Sequence, residues 1–101
     1  MNQILNDEQL ARAADVLKAV SHPARLRIIE LLEAGERSVT EIQDCLGITQ
    51  SLTSQHLSNM RMRGVLKSRK NGNMVYYSVS NPDVVKVIHC IRKSDTVEQN
   101  A

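Results

Sequence analysis

Between Gly47 and Thr49 the chain ends one helix and starts another. The segment before the break, SVTEIQDCLG, opens on Ser38 with Glu41 three residues on, the spacing of a capping box, and closes at Gly47. Its inward residues are expected to be Ile42, Cys45 and Leu46. The segment after it, ITQSLTSQHLSNMR, takes Thr49 as its N-cap and keeps Thr53, Leu57 and Met60 on one side at spacings of four and three. Two short helices with almost no chain between them form a helix-turn-helix, here over residues 38–63, in which the second helix lies across the first.

The other side of that second helix is unusual. Gln50, Ser51, Ser54, Gln55 and Ser58 share it. A solvated helical face ordinarily carries Glu and Lys, which hold helical conformation better than Ser, Thr or Asn. This one carries no acid. Gln bonds base edges and Ser or Thr reaches a base or a phosphate, whereas a carboxylate there would be repelled by a duplex. The charge map agrees. Residues 1–44 hold five Lys or Arg against eight Asp or Glu, while residues 45–82 hold Arg61, Arg63, Lys67, Arg69 and Lys70 and no acid at all. A basic segment of that kind suits a polyanion, although five charges alone also fit a solvated face. Double-stranded DNA is the expected partner, read in the major groove by Thr49, Gln50, Ser51, Ser54, Gln55, Ser58 and Arg61.

The flanks complete a plan. NDEQLARAADVLKAV repeats apolar residues at Leu10, Ala13 or Ala14, Leu17 and Val20, with Asp7 and Glu8 at the positive end of the helix. In SHPARLRIIELLEAG, Ser21 is the expected cap, Pro23 fits the first turn, Leu26, Ile29 and Leu32 face inward, and Gly35 stops the helix. After Gly64 the period changes to alternation. VLKSRK and NMVYYSVS flank Asn71-Gly72, which predicts a hairpin over residues 65–80 with a two-residue turn. Its Lys67, Arg69, Lys70, Asn71 and Asn73, with Arg63 at the end of the preceding helix, are the expected contacts to a DNA backbone or minor groove. Arg61 and Arg63 also suit the helix dipole. A last helix opens on Asn81 and Pro82 and carries the stripe Val84, Val87, Ile88 and Ile91. The terminal helices, 5–20 and 81–93, are expected to pair across a two-fold axis, with a frayed polar tail from about Ser94. The fold class is mainly α with a β-hairpin wing (α+β), in the order α-α-α-α-β-β-α, as a single domain over residues 1–101.

Other classes fit poorly. No apolar run exceeds four residues and the start, MNQILNDEQL, has neither a basic leader nor an apolar stretch, so the reading is cytoplasmic with no membrane partner. No phosphate-binding glycine loop and no Ser/His/Asp or paired-carboxylate spacing supports an enzyme, and no cofactor is implied. A winged-helix protein-interaction module would need exposed apolar residues on the second helix or the hairpin, and neither stretch supplies many. Cys45 and Cys90 are read as small buried hydrophobes, with a redox role or a mutual disulfide as the alternative. His89 and Cys90 point about 100° apart on a helix and do not readily share an ion. His56 is taken as structural or phosphate-contacting.

LKAVSHPARLRIIELL, SVTEIQDCLGITQSLTSQHLSNMRMRGVL and GNMVYYSVS resemble, in order and spacing, the ArsR/SmtB bacterial repressors, over almost the whole chain. The resemblance implies a winged helix-turn-helix homodimer that occupies a palindromic operator and leaves it when an inducer, often a metal ion, binds. The sensor departs from the family. Where members sensing soft ions carry Cys-Val-Cys, this chain has Ser38-Val39-Thr40. The zinc-type positions look like Asn81, Asp83, Ser94 and Val97, and the second-helix cysteine of persulfide sensors aligns with Glu30. No metal site is therefore expected, and the inducer is unknown.

Overall fold

The computed structural model describes residues 5–100, with side chains described through Lys93. The elements run α1 (Asp7–Val20), α2 (Pro23–Glu33), β1 (Arg37–Ser38), α3 (Val39–Leu46), α4 (Gln50–Met62), β2 (Leu66–Asn71), β3 (Met74–Val79) and α5 (Asp83–Asn100). The core centres on α2, which packs against α1, α3, α4, α5 and β3. Ile28, Ile29 and Leu32 of α2 meet Ile42 of α3, Leu57 and Met60 of α4, Val65, Leu66 and Tyr77 of the sheet region, and Val84 and Ile88 of α5. Among the described residues no helix is long and apolar enough to cross a membrane.

The helix-turn-helix forms as its caps dictate. Ser38 Oγ accepts the Glu41 N–H at 3.1 Å and Glu41 Oε1 accepts the Ser38 N–H at 3.0 Å, closing the capping box. These bonds hold the Glu41 carboxyl below its ordinary range. Gly47 ends α3 at φ +67°, a left-handed conformation that suits a residue without Cβ. Thr49 Oγ1 then accepts the Leu52 N–H at 3.1 Å and starts α4 two residues later.

Several details differ from the sequence reading. The sheet has three strands in the order β1-β3-β2, all antiparallel, because Arg37 pairs with Tyr77 and Ser38 with Tyr76. A two-residue strand is too short to display alternation, so β1 leaves no pattern to read. Asn71 pairs with Met74, which makes Gly72 and Asn73 the loop residues in place of Asn71 and Gly72. Only Gly72 has positive φ, at +64°, the pattern of a type II′ turn; the type I′ turn favoured by Asn-Gly needs two such residues. The cap of α2 is His22, whose Nδ1 accepts the Ala24 N–H at 3.1 Å; Ser21 instead closes α1, its hydroxyl donating to the Lys18 carbonyl. Helix α2 stops at Glu33 with Ala34 as C-cap, ahead of Gly35, and α5 continues past Ser94 to Asn100.

The cysteines are the larger correction. Cys45 and Cys90 are both exposed and free. Ile42 and Leu46, four apart, take the inward positions of α3 and leave Cys45 on the rim, while Cys90 follows buried Ile88 by two residues and points away from it. Leu10 and Leu17 of α1 are half exposed as well, at 50% and 55%, as is Ile91 of α5.

Residues two apart on α4 should behave differently. Met60 is fully buried and Met62 is 82% exposed. Met60→Ala is expected to cost about 2–5 kcal/mol, and Met62→Ala to stay within about 0.5 kcal/mol, both read by urea denaturation. Ser38→Ala removes the cap acceptor and should cost about 0.5–2 kcal/mol in the same assay.

Candidate nucleic-acid interface

Helix α4 has a buried side and an open one. Thr53, His56, Leu57 and Met60 are buried, and Gln50, Ser51, Ser54 and Gln55 are exposed, with Ser58 partly covered. Arg61 is exposed near the C-terminal end, where its charge also suits the dipole. Up to Arg61 the open side carries neutral donors and acceptors and no charge, with Leu52, 40% exposed, at its flank. Thr49, expected among the readers, uses its hydroxyl as the cap of α4 and its carbonyl to accept from Thr53 Oγ1 at 2.8 Å.

His56 is not placed to touch a phosphate. It is 4% exposed, and its Nδ1 accepts a hydrogen bond from Arg25 Nε at 2.9 Å. Arg25 Nη1 also donates to the Ala19 carbonyl at 3.2 Å and to Asn59 Oδ1 at 3.0 Å, so one guanidinium ties α2 to α4 and to the end of α1. Burial, then the charges of Arg25 and His22, push the His56 pKa below its ordinary value.

The wing separates into open and committed cations. Lys67 and Lys70 are exposed. Arg69 is held by Glu36, with Nε and Nη2 each 2.7 Å from a carboxylate oxygen, and its guanidinium lies 4.8 Å from the Tyr76 ring centre. Tyr76 is also its cross-strand partner, so this contact clasps β2 to β3 and to the residue preceding β1. Hydrogen bonding to Arg69 holds the Glu36 carboxyl below its ordinary range and raises the pKa of Arg69. Arg63 sits 3.8 Å from Asp15 of α1. Asn71 ends β2 and Asn73 is in the turn, both exposed. Alternation revealed the hairpin, but nothing in it distinguished Arg69 from Lys67 and Lys70, because Glu36 lies 33 residues away.

Between wing and α4 lies a groove of about 330 Å³. Gln50, Ser54 and Ser58 line one wall, Asn73, Met74 and Val75 the other, with Thr40 of α3 at the edge. Thr40 and Met74 carry no signal in the sequence; Met74, 41% exposed, reads there as an ordinary strand residue. A second groove, about 530 Å³, runs between α1 and α5 and is lined by Val16, Leu17, Val84 and Val87, with Asp15 and Arg63 at its border.

At the positions that the resemblance aligns with sensor residues, the described side chains make other interactions. Asn81 Oδ1 accepts the Asp83 N–H at 3.0 Å, and Asp83 pairs with Lys86 at 3.2 Å. The side chains of Ser94 and Val97 lie outside the described residues. Glu30 pairs with Arg27 and lies 3.5 Å from Arg92. Glu33 binds His89 Nε2 and accepts from Arg92 at 3.0 Å, and these bonds, His89 foremost, hold its carboxyl below the ordinary range. Among the described residues no three His, Cys, Asp or Glu side chains gather as a metal site would require.

Comparison with known proteins places this architecture. The family model described as "Bacterial regulatory protein, arsR family" matches residues 22–68, from the α2 cap into the wing. Transcriptional repressor PagR of Bacillus anthracis is 43% identical over 76 residues, covering 74% of this chain and 76% of that protein. Transcriptional activator HlyU of Vibrio cholerae is 33% identical over 93 residues, covering 92% of this chain and 86% of its own. The HlyU structure superposes with a TM-score of 0.80 over 87% of this chain and 96% of that one. A solution structure described as the homodimeric winged helix-turn-helix DNA-binding domain of a possible ArsR-family regulator from Mycobacterium bovis superposes with a TM-score of 0.79 at 26% identity, over 97% of this chain and 94% of that one. With its helix-turn-helix, its wing and these relatives, the chain belongs to the arsR family of bacterial transcriptional regulators, and is not an enzyme.

Proposed function

We propose that the protein is a homodimeric, sequence-specific repressor that occupies a palindromic operator and blocks its promoter. The observation that carries this reading is the open side of α4, where Gln50, Ser51, Ser54 and Gln55 stand exposed without an acid on the helix. In the major groove the Gln amides donate to and accept from base edges while the Ser hydroxyls reach bases or phosphates. Arg61, Lys67 and Lys70 add phosphate contacts, and Asn71 and Asn73 approach the backbone or the minor groove from the turn. Arg63, shared with Asp15, and Arg69, shared with Glu36, act by positioning and exchange partners only where a phosphate competes. PagR is named a repressor and HlyU an activator, so the sign of regulation rests on where the operator lies.

The second copy belongs in the groove between α1 and α5. Half-exposed Leu10, Leu17 and Ile91 lie on these two terminal helices, and the Mycobacterium bovis relative is described as homodimeric. A two-fold axis there sets the two α4 helices about 34 Å apart, one turn of DNA, and requires matching symmetry in the operator. The family's usual metal sites are replaced: the Ser38 hydroxyl serves the α3 cap and Asn81 serves the start of α5. The exposure of Cys45 and Cys90 favours a second reading, in which thiol oxidation releases the operator.

Selection from a random duplex library in reductant should return a palindrome; recovery of no preferred sequence would overturn the reading. Gln55→Ala should then cost about 1–3 kcal/mol on the selected site and relax preference at one base pair per half-site. Lys70→Ala should weaken binding to all sequences alike and make the salt dependence shallower by about one phosphate equivalent per subunit. Leu17→Asp should convert the dimer to monomer in sedimentation and abolish operator binding while non-specific binding persists. A mild-oxidant arm on the selected duplex separates the thiol reading, since release reversed by added thiol requires Cys45 or Cys90.

A further inference from the structure

The Arg25 contact carries a chemical condition. A guanidinium donates and cannot accept, so Nδ1 of His56 receives the Arg25 hydrogen bond only when it bears no proton. The neutral ring then carries its proton on Nε2, which is buried without a partner among the described residues. An imidazolium at this place would set its Nδ1–H against the Arg25 Nε–H and leave Nε2–H without an acceptor. Nδ1 is the nitrogen that opposes the charged form, since Nε2–H lacks an acceptor in either state.

The surroundings reinforce this. From α2, Arg25 places a fixed positive charge 2.9 Å from the ring. From the cap of α2, the His22 ring lies 4.6 Å away, centre to centre, tilted by 51°. Among the described residues, the remaining elements packed on α4 supply no counter-charge to the ring. Asp15 of α1 is engaged by Arg63, Glu41 of α3 by the Ser38 cap, Asp44 of α3 is exposed, and β2 brings Lys67, Arg69 and Lys70. Arg25 supplies the fixed charge that repels an added proton on His56, and the electrostatic influence of His22 acts in the same direction.

We propose that Arg25 is a positioning residue for the DNA-reading helix, that its clasp on α4 is complete only while His56 is neutral, and that acidification therefore lowers the protein's affinity for its operator. His56 follows Gln55 directly and shares Arg25 with Asn59, so a broken clasp shifts the part of α4 next to the open face. The sign is fixed by the direction of the His56 shift. Its pKa in the folded protein is below the ordinary 6.5, so the clasp is whole above that value. As pH falls below it, a His56 released from the clasp takes up a proton before a clasped one does, and the open form gains. A surface histidine touching a phosphate has the opposite sign, because DNA favours its protonated form.

The inference rests on α4 being the DNA reader, and the test separates the two. Affinity for the selected palindromic duplex is measured from pH 8 to pH 5.5 at fixed salt, alongside the ring nitrogen shifts of ¹⁵N-labelled His56. The expected result is an Nε2–H tautomer at neutral pH and a fall in affinity on the order of tenfold, within the usual range of coupling between sites, following the His56 titration. His56→Gln, which offers Arg25 a non-titrating acceptor, should bind at pH 8 and lose the acid response; His22→Asn should keep it. Absence of palindrome binding at pH 8 would overturn the DNA-reading assignment itself. Binding at pH 8 that is flat or tightens on acidification, or an acid response abolished by His22→Asn, would overturn the clasp alone, and the wild-type titration decides this even if His56→Gln does not fold.

Discussion

A helix of thirteen residues rich in Ser, Thr, Gln and Asn does not hold itself together in water, so α4 owes its shape to what it packs against. Four inward side chains, Thr53, His56, Leu57 and Met60, carry that burden. Their placement decides which way Gln50, Ser54 and Gln55 face, because 100° per residue leaves no independent choice for the other side. Stability and readout are thus the same constraint seen from opposite sides of one helix. The caps at Ser38 and Thr49 fix where each helix begins, and the left-handed Gly47 fixes the angle between them.

The polar contacts extend that logic beyond the hydrophobic core. Arg25 reaches from α2 to His56, Asn59 and the Ala19 carbonyl, joining three helices at one guanidinium. Arg63 meets Asp15 across α4 and α1 at the border of the groove proposed for the second subunit. The proposed reading helix therefore touches, through single charged groups, both the centre of the fold and the surface where a partner would sit. A change at either place has a physical route to the open side of α4 that does not require refolding.

How much of this was legible in the chain depended on range. Caps, helix stops and the inward triad Thr53, Leu57 and Met60 are local patterns; the capping box, the Thr49 cap, the Gly47 stop and the triad appear as the spacing implies. The hairpin was legible from alternation, but its turn was misplaced by one residue, because the cross-strand pairing of Asn71 with Met74 outweighs the preference of Asn-Gly for the loop. Strand β1 and the Glu36 clasp were invisible, since both depend on partners more than thirty residues away. The cysteines were misjudged for a different reason: composition favours burial of Cys, yet Ile42 and Leu46 had already filled the inner side of α3. The residues proposed to face DNA were named from their chemistry, and Thr40 and Met74 also line the groove that Gln50, Ser54 and Ser58 border.

The clasp of Arg69 between Glu36 and Tyr76 has a further consequence, for timing. A hairpin left to itself would sample many positions and would have to surrender that freedom on meeting a duplex. Here the ribbon is tied to the strand edge at its midpoint and Lys67 and Lys70 ride on a frame already set. The entropy of ordering the wing is spent when the protein folds. An encounter with DNA then needs only the right orientation, and the search along a chromosome proceeds with a reading head that does not have to be assembled at every site.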